Sequence, residues 1–144
     1  MKKYVFWNNK GGTGKTSLAF QTLCHFAEKN QNKKVLVIDM CPQANLSELL
    51  LGGLSNNGSN NLLLIQGVPL RCSIGGYFQM RLPNPYSKPN FNPYDFISEP
   101  HKYNDNIPDN VDLVCGDPLL ELQSNAISTL ANNQIPGLDT WVSI

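Results

Sequence analysis

Long apolar runs are absent from this chain, and so is any excess of charge of one sign. No apolar stretch approaches the roughly 20 residues that a membrane-spanning helix requires. Lysine plus arginine and aspartate plus glutamate both total 11, and only 15% of residues are charged. That balance leaves no basic arm or stripe, so this stretch carries no electrostatic footprint for nucleic acid. Cysteine is sparse and scattered, at positions 24, 41, 72 and 115, with no Cys-X-X-Cys. Such spacing argues against a zinc site and against a secreted disulfide scaffold, and it suits a reducing cytoplasm. The opening Met1-Lys2-Lys3-Tyr4-Val5-Phe6-Trp7 has charge followed by apolar residues, as a signal peptide does. Its apolar part is too short, and a glycine-rich run follows at once, which excludes that reading. His25 stands alone on an expected helix and reads as an ordinary helix residue, not a ligand.

What the chain does have is concentrated near its start. Lys10-Gly11-Gly12-Thr13-Gly14-Lys15-Thr16-Ser17 follows the apolar run Tyr4–Trp7 and opens an amphipathic stretch from Lys15 to about Lys29. The order predicted is strand, glycine-rich loop, helix. A phosphate chain is wrapped only where backbone N–H groups converge on it, and side chains at those positions block the approach. The helix N-terminus adds free amides and the positive end of a dipole. Gly11, Gly12, Thr13, Gly14, Lys15, Thr16 and Ser17 are therefore the candidate phosphate-binding residues. Lys15 reaches the β- and γ-phosphates in such loops, and the Thr16 hydroxyl ligates Mg²⁺.

A second block lies downstream. Val35-Leu36-Val37-Ile38 is a continuous apolar, β-branched run, as expected of a buried parallel strand. It ends in Asp39-Met40-Cys41-Pro42-Gln43-Ala44-Asn45.

Together these residues resemble the ParA/MinD-type P-loop ATPases, whose deviant Walker A motif carries a lysine just before its first glycine. Lys10 occupies that place. The resemblance implies that Lys10 crosses a dimer interface to the partner's nucleotide, so that ATP binding drives homodimerisation. The family's second block is Asp-X-Asp-Pro-Gln-(Gly/Ala)-Asn. Asp39, Pro42, Gln43 and Asn45 match it, and Asp39 is implied as an outer-shell Mg²⁺ or lysine partner. Cys41 stands where the family has an aspartate associated with hydrolysis. A thiol does not orient water as a carboxylate does unless it ionises, so fast hydrolysis is not expected here, while binding is. Lys10, Lys15 and Asp39 are the catalytic candidates, and Thr16 and Asp39 the metal candidates. The resemblance covers residues 1 to about 53 most securely, and 111 to 132 loosely.

The remainder is read from local pattern. Leu18, Ala19, Leu23, Phe26 and Ala27 form the expected core face of the first helix. Asn45-Leu46-Ser47-Glu48 reads as a cap and capping-box variant opening a short helix that Gly52-Gly53 stops. Residues 55–61 read as an Asn/Gly/Ser loop. A helical piece is expected around Ser73 to Arg81. From 83 to 110 the density of proline forbids a long helix or a central strand. That segment reads either as a cap over the nucleotide site or as a connector whose aromatics plug onto the core. Val111–Cys115 reads as another strand. Asp117-Pro118 then opens a helix with Leu119, Leu122, Ala126, Ile127 and Leu130 on one face. Asp117 has the form of a Walker B acid, but Asp-Pro is the standard cap pair, and the cap is favoured.

The 144 residues, 41% hydrophobic, suit one domain. The fold class expected is α/β, a parallel sheet with flanking helices of P-loop NTPase type. Beyond the block at 35–45, assigned above to the second motif, no apolar run ending in Asp-X-X-Pro, the Walker B form, appears before Ile144. Residues 1–144 are therefore expected to be the N-terminal portion of one P-loop ATPase domain, whose strands at 4–8 and 35–39 lack a central partner. The expected function is a Mg²⁺-ATP-dependent dimerising ATPase switch in plasmid or chromosome partition. It is expected in the cytoplasm with a ParB-like partner, and any non-specific DNA contact would come through later segments. The alternatives are a nucleotide-binding module without turnover, or another P-loop enzyme such as a small-molecule kinase or a dethiobiotin-synthetase-like ligase. Iron-protein reductases are disfavoured, because no cysteine pair is placed to hold a cluster.

Overall fold

A computed structural model describes residues 1–132 apart from positions 9, 68, 86 and 89. Two short strands form its centre: β1 (Val35–Ile38) and β2 (Val111–Val114). They run parallel, with Val35 opposite Val111 and Ile38 opposite Val114. Parallel pairing demands a long crossover, and the chain supplies it with helices α2 (Asn45–Leu50), α3 (Gly58–Ile65) and α4 (Ile74–Arg81). Helix α1 (Lys15–Lys29) precedes β1, and α5 (Leu119–Asn132) follows β2. The architecture is α/β with flanking helices, as expected.

Side chains alternate across a strand, so β2 feeds two cores. Val111 and Leu113 join Val37, Ala27, Leu50, Leu51, Leu62 and Ile65. Val114 joins Ile74, Tyr77, Phe78, Phe96 and Leu120. In α1, Ala19 and Ala27 are buried as expected and Leu23 packs inward, but Phe20 and Cys24 take the places expected of Leu18 and Phe26, which are exposed. The inward face of α5 is Leu120, Gln123 and Ile127, and Leu122 is exposed. Leu130 lies outside the residues whose side chains are described.

The strand expected at Tyr4–Trp7 is not formed. Tyr4, Val5 and Trp7 are 75%, 86% and 78% exposed. A strand is held by its neighbour, and Tyr4–Trp7 pairs with no strand among the described residues. The far edge of β2 is already closed: Ser98 exchanges two 2.8 Å bonds with Leu113, and the Ile74 amide donates to the Cys115 carbonyl. The far edge of β1 pairs with no strand among the described residues, and the face that carries Leu36 and Ile38 is half exposed.

Two further expectations are corrected. Within the run 55–61, helix α3 begins at Gly58. Asn57 turns the chain in the left-handed region (φ 54°) and Gly58 crosses the α2 end closely, where a Cβ would fall 2.4 Å from Glu48 O. Leu62 and Ile65 then reach the core. The Asn/Gly/Ser composition builds an entry and a crossing rather than a loop. Secondly, Asn45 makes no capping bond to α2, and Glu48 accepts from Ser59 instead of closing a box. The segment 83–110 packs as a connector. It holds two 3₁₀ turns, Pro93–Phe96 and Pro100–Lys102. Phe91 and Phe96 stack edge-on with Tyr77 at centroid distances of 5.7 Å.

Candidate functional site

The glycine-rich loop has the backbone its sequence requires. Gly12 and Gly14 lie in the left-handed region at φ 70° and 75°, which side chains disfavour. A Cβ at Gly11, Gly12 or Gly14 would meet nothing within 4 Å, so the loop is open to an incoming group. Helix α1 starts directly at Lys15 with Gly14 as its N-cap. No side chain caps it, and no acid stands in its first turn. The first amides of α1 thus have no side-chain partner, and the dipole end is uncompensated. Lys15 and Thr16 are half-buried; Gly11 to Gly14 and Ser17 are exposed. The Lys10 amide donates to the Asn8 side chain at 2.9 Å, and the Thr13 hydroxyl to the Lys10 carbonyl at 3.4 Å. Among the described residues, no ion pair engages Lys10 or Lys15.

Asp39 directly follows β1 and is buried. Its Oδ1 accepts the Cys41 amide at 3.1 Å, and its Oδ2 accepts the Ser47 amide at 3.0 Å and the Ser47 hydroxyl at 2.7 Å. Asp39 is thus the true cap of α2, reached across eight residues, and its charge suits that helix start. Cys41 is exposed on the same loop. Gly116, just past β2, supports the loop from below. A Cβ there would lie 2.5 Å from the Cys41 carbonyl oxygen and 2.9 Å from Ala44 Cα. The Gly116 amide donates to the Ser47 hydroxyl at 2.9 Å, and Gln66 donates to the Gly116 carbonyl at 2.8 Å. No hydrogen bond joins Asp39 to Lys10, Lys15 or Thr16 among the described residues.

Asp117 is the cap the sequence suggests, since its Oδ1 accepts the Leu119 amide at 2.8 Å. It does more than cap. Arg71 grips both its oxygens, Nε to Oδ2 at 2.5 Å and Nη2 to Oδ1 at 2.9 Å, and the Ser73 hydroxyl also donates to Oδ2. Burial pushes the Asp117 carboxyl up, but the bonds from Arg71, Ser73 and Leu119 outweigh it and hold the group below its ordinary value. Burial also drives the Cys115 thiol up to about 12. Sequence reasoning missed Ser47, Gln66, Arg71 and Ser73 as polar anchors. The available signal was a serine at 47 set among Leu46, Leu49, Leu50 and Leu51.

These residues suit a phosphate group. Left-handed glycines, open space, amides without side-chain partners and a lysine in no ion pair among the described residues are the features an anion cradle needs. A magnesium ion held mainly by phosphate and water needs few protein ligands. The half-buried Thr16 hydroxyl would be the candidate to supply one. Asp39 has three of its roughly four acceptor positions filled, which suits it to a water-mediated contact. No group of three or more His, Cys, Asp or Glu side chains able to hold a metal by itself occurs among the described residues. No helix among them is long and apolar enough to cross a membrane.

Residues 1–133 match a protein-family profile described as an AAA domain. The chain is 38% identical over 74 residues to a Chlamydia psittaci protein described as "Virulence plasmid ParA family protein pGP5-D". Proteins of the same description from Chlamydia muridarum and Chlamydia trachomatis are 42% and 44% identical over 57 residues. These matches cover 51%, 40% and 40% of this chain, but only 28%, 21% and 21% of the relatives' own lengths. No solved structure matches significantly.

Proposed function

Since the chain belongs to the AAA-domain family of ParA-like P-loop ATPases, we propose that it binds Mg²⁺-ATP and acts as an ATP-dependent dimerising switch in plasmid or chromosome partition. The observation that carries this reading is the loop itself. Gly12 and Gly14 are left-handed, and α1 starts at Lys15 with no side-chain cap and no first-turn acid. An arrangement with its amides open and its lysines in no ion pair among the described residues is poised for a polyphosphate.

Each residue then has a defined task. The amides of Gly11 to Ser17 and the Lys15 ammonium hold the phosphates. Thr16 would hold Mg²⁺, with Asp39 behind it through water, and the ion would neutralise phosphate charge. Lys10, on the exposed part of the loop, reaches across to a nucleotide in a second copy. Residues 1–144 act as the nucleotide-holding portion of one P-loop domain, in the cytoplasm, with a ParB-like protein as partner. Lys15→Ala is expected to abolish ATP binding measured by calorimetry. Lys10→Ala is expected to bind ATP normally yet fail to dimerise in sedimentation. Retained ATP-dependent dimerisation in Lys10→Ala would sink the trans-acting lysine.

One observation favours a second reading, a nucleotide-binding module that does not turn over. Cys41 is an exposed thiol where the resembled ATPases have a carboxylate. Binding of ATP with no phosphate release would support that module over the ATPase.

A further inference from the structure

We infer that Ser47 is a positioning residue for the nucleotide site, fixing the Asp39 carboxylate and seating the 39–45 loop on the end of β2. The inference rests on the proposed role of Asp39 toward Mg²⁺-ATP. Ser47 lies one turn into α2, fully buried, and touches both strand ends at once. Its hydroxyl donates to Asp39 Oδ2 at 2.7 Å and accepts the Gly116 amide at 2.9 Å. The direction of both bonds is forced. An ionised carboxylate only accepts and a backbone amide only donates, so the single hydroxyl proton must point at Asp39. The Ser47 amide adds a second bond to the same oxygen at 3.0 Å. Oδ2 is thereby saturated, and Oδ1, with one bond from Cys41, is left to face any further partner.

This arrangement sets which oxygen is available and where it stands. The carboxylate is clamped between the amide of Cys41 and both donors of Ser47. The loop that carries Cys41 is in turn pressed against Gly116, where even a methyl group has no room. Without the hydroxyl, Asp39 keeps its two amide bonds but can rotate about them, and the Gly116 amide loses its partner. Ser47 therefore acts through Asp39 and does not itself touch the nucleotide.

The test is the ratio of ATP affinity with Mg²⁺ to that with EDTA, measured by calorimetry on the full chain. Ser47→Ala is expected to lower this ratio about tenfold, the scale of a charge-assisted hydrogen bond, while affinity in EDTA stays unchanged. Gln66→Leu removes the 2.8 Å bond to the Gly116 carbonyl without touching Asp39. It is expected to lower the melting temperature and leave the ratio intact. A wild-type ratio in Ser47→Ala, or an equal loss of affinity in both buffers, overturns the inference and leaves Ser47 a structural residue. If Ser47→Ala does not fold, Ser47→Thr and Asp39→Asn carry the test. A ratio kept by threonine and lost by asparagine supports the inference, and any other pattern overturns it. A wild-type chain that does not bind ATP at all defeats the underlying reading instead, and the inference with it.

Discussion

Replacing Arg71 with methionine keeps the aliphatic stem and removes the fork that grips Asp117. The Asp117 side chain is fully buried, while Arg71 is 30% exposed. Breaking one side of a buried pair costs about 3–5 kcal/mol when nothing else holds the stranded charge. Here the Ser73 hydroxyl and the Leu119 amide remain, so the loss is expected near the lower end, about 3 kcal/mol at neutral pH. The pH dependence gives the diagnosis. The Asp117 carboxyl is held below its ordinary value in the folded protein. Its contribution is therefore present above the unfolded carboxylate range and is lost as pH falls through the depressed folded value. In Arg71→Met, burial acts against fewer bonds, so Asp117 takes up a proton at higher pH and sheds the penalty. The gap between wild type and variant should be full near neutral pH and close progressively in acid. Urea unfolding followed by circular dichroism at neutral pH and at about pH 4 reads both quantities. A gap under about 1 kcal/mol at neutral pH, or one that does not change with pH, would refute a buried charge held by Arg71. Adding Asp117→Asn should recover part of the loss, because asparagine still caps α5 without a charge.

Other consequences are direct. Gly116→Ala places a Cβ 2.5 Å from the Cys41 carbonyl oxygen. It should cost about 1–3 kcal/mol in urea unfolding, and an unchanged midpoint would mean that the 39–45 loop does not rest there. If the chain turns ATP over as proposed, Cys41→Asp, which puts a carboxylate on the 39–45 loop, should raise phosphate release in a coupled assay; an unaltered rate removes the Cys41 thiol as a determinant of turnover. Thiol labelling at neutral pH should modify exposed Cys41 well before Cys115, which is buried with its thiol pushed up to about 12. Equal labelling of the two by mass spectrometry would contradict the packing around β2.

The elements that the sequence declared are those whose causes are local. Helix α1 follows from a glycine loop and helical apolar spacing, β1 and β2 from β-branched runs. The starts of α4 and α5 follow from Ser73 and the Asp117-Pro118 pair, each with a side chain that bonds an amide within three residues. What stayed hidden depends on distant partners. Tyr4–Trp7 has strand composition, but pairing is a property of two segments, and β1's open edge finds no neighbour among the described residues. Asp39 is bonded to Ser47 eight residues away, and Ser47 to Gly116 sixty-nine away. Arg71 meets Asp117 across forty-six. No periodicity encodes those separations. Helix α3 was masked by its own Asn, Gly and Ser residues, which look like a loop because they make a left-handed entry and a close crossing. The candidate phosphate loop was legible because its residues, 10–17, are contiguous. The buried clamp around Asp39 was not, because only half of it adjoins the motif.

The most direct measurement is titration of the chain with ATP in the presence of Mg²⁺, with binding followed by calorimetry and mass by sedimentation on the same samples. The account predicts saturable binding accompanied by conversion of monomer to dimer. A folded chain that shows no saturable binding would contradict it.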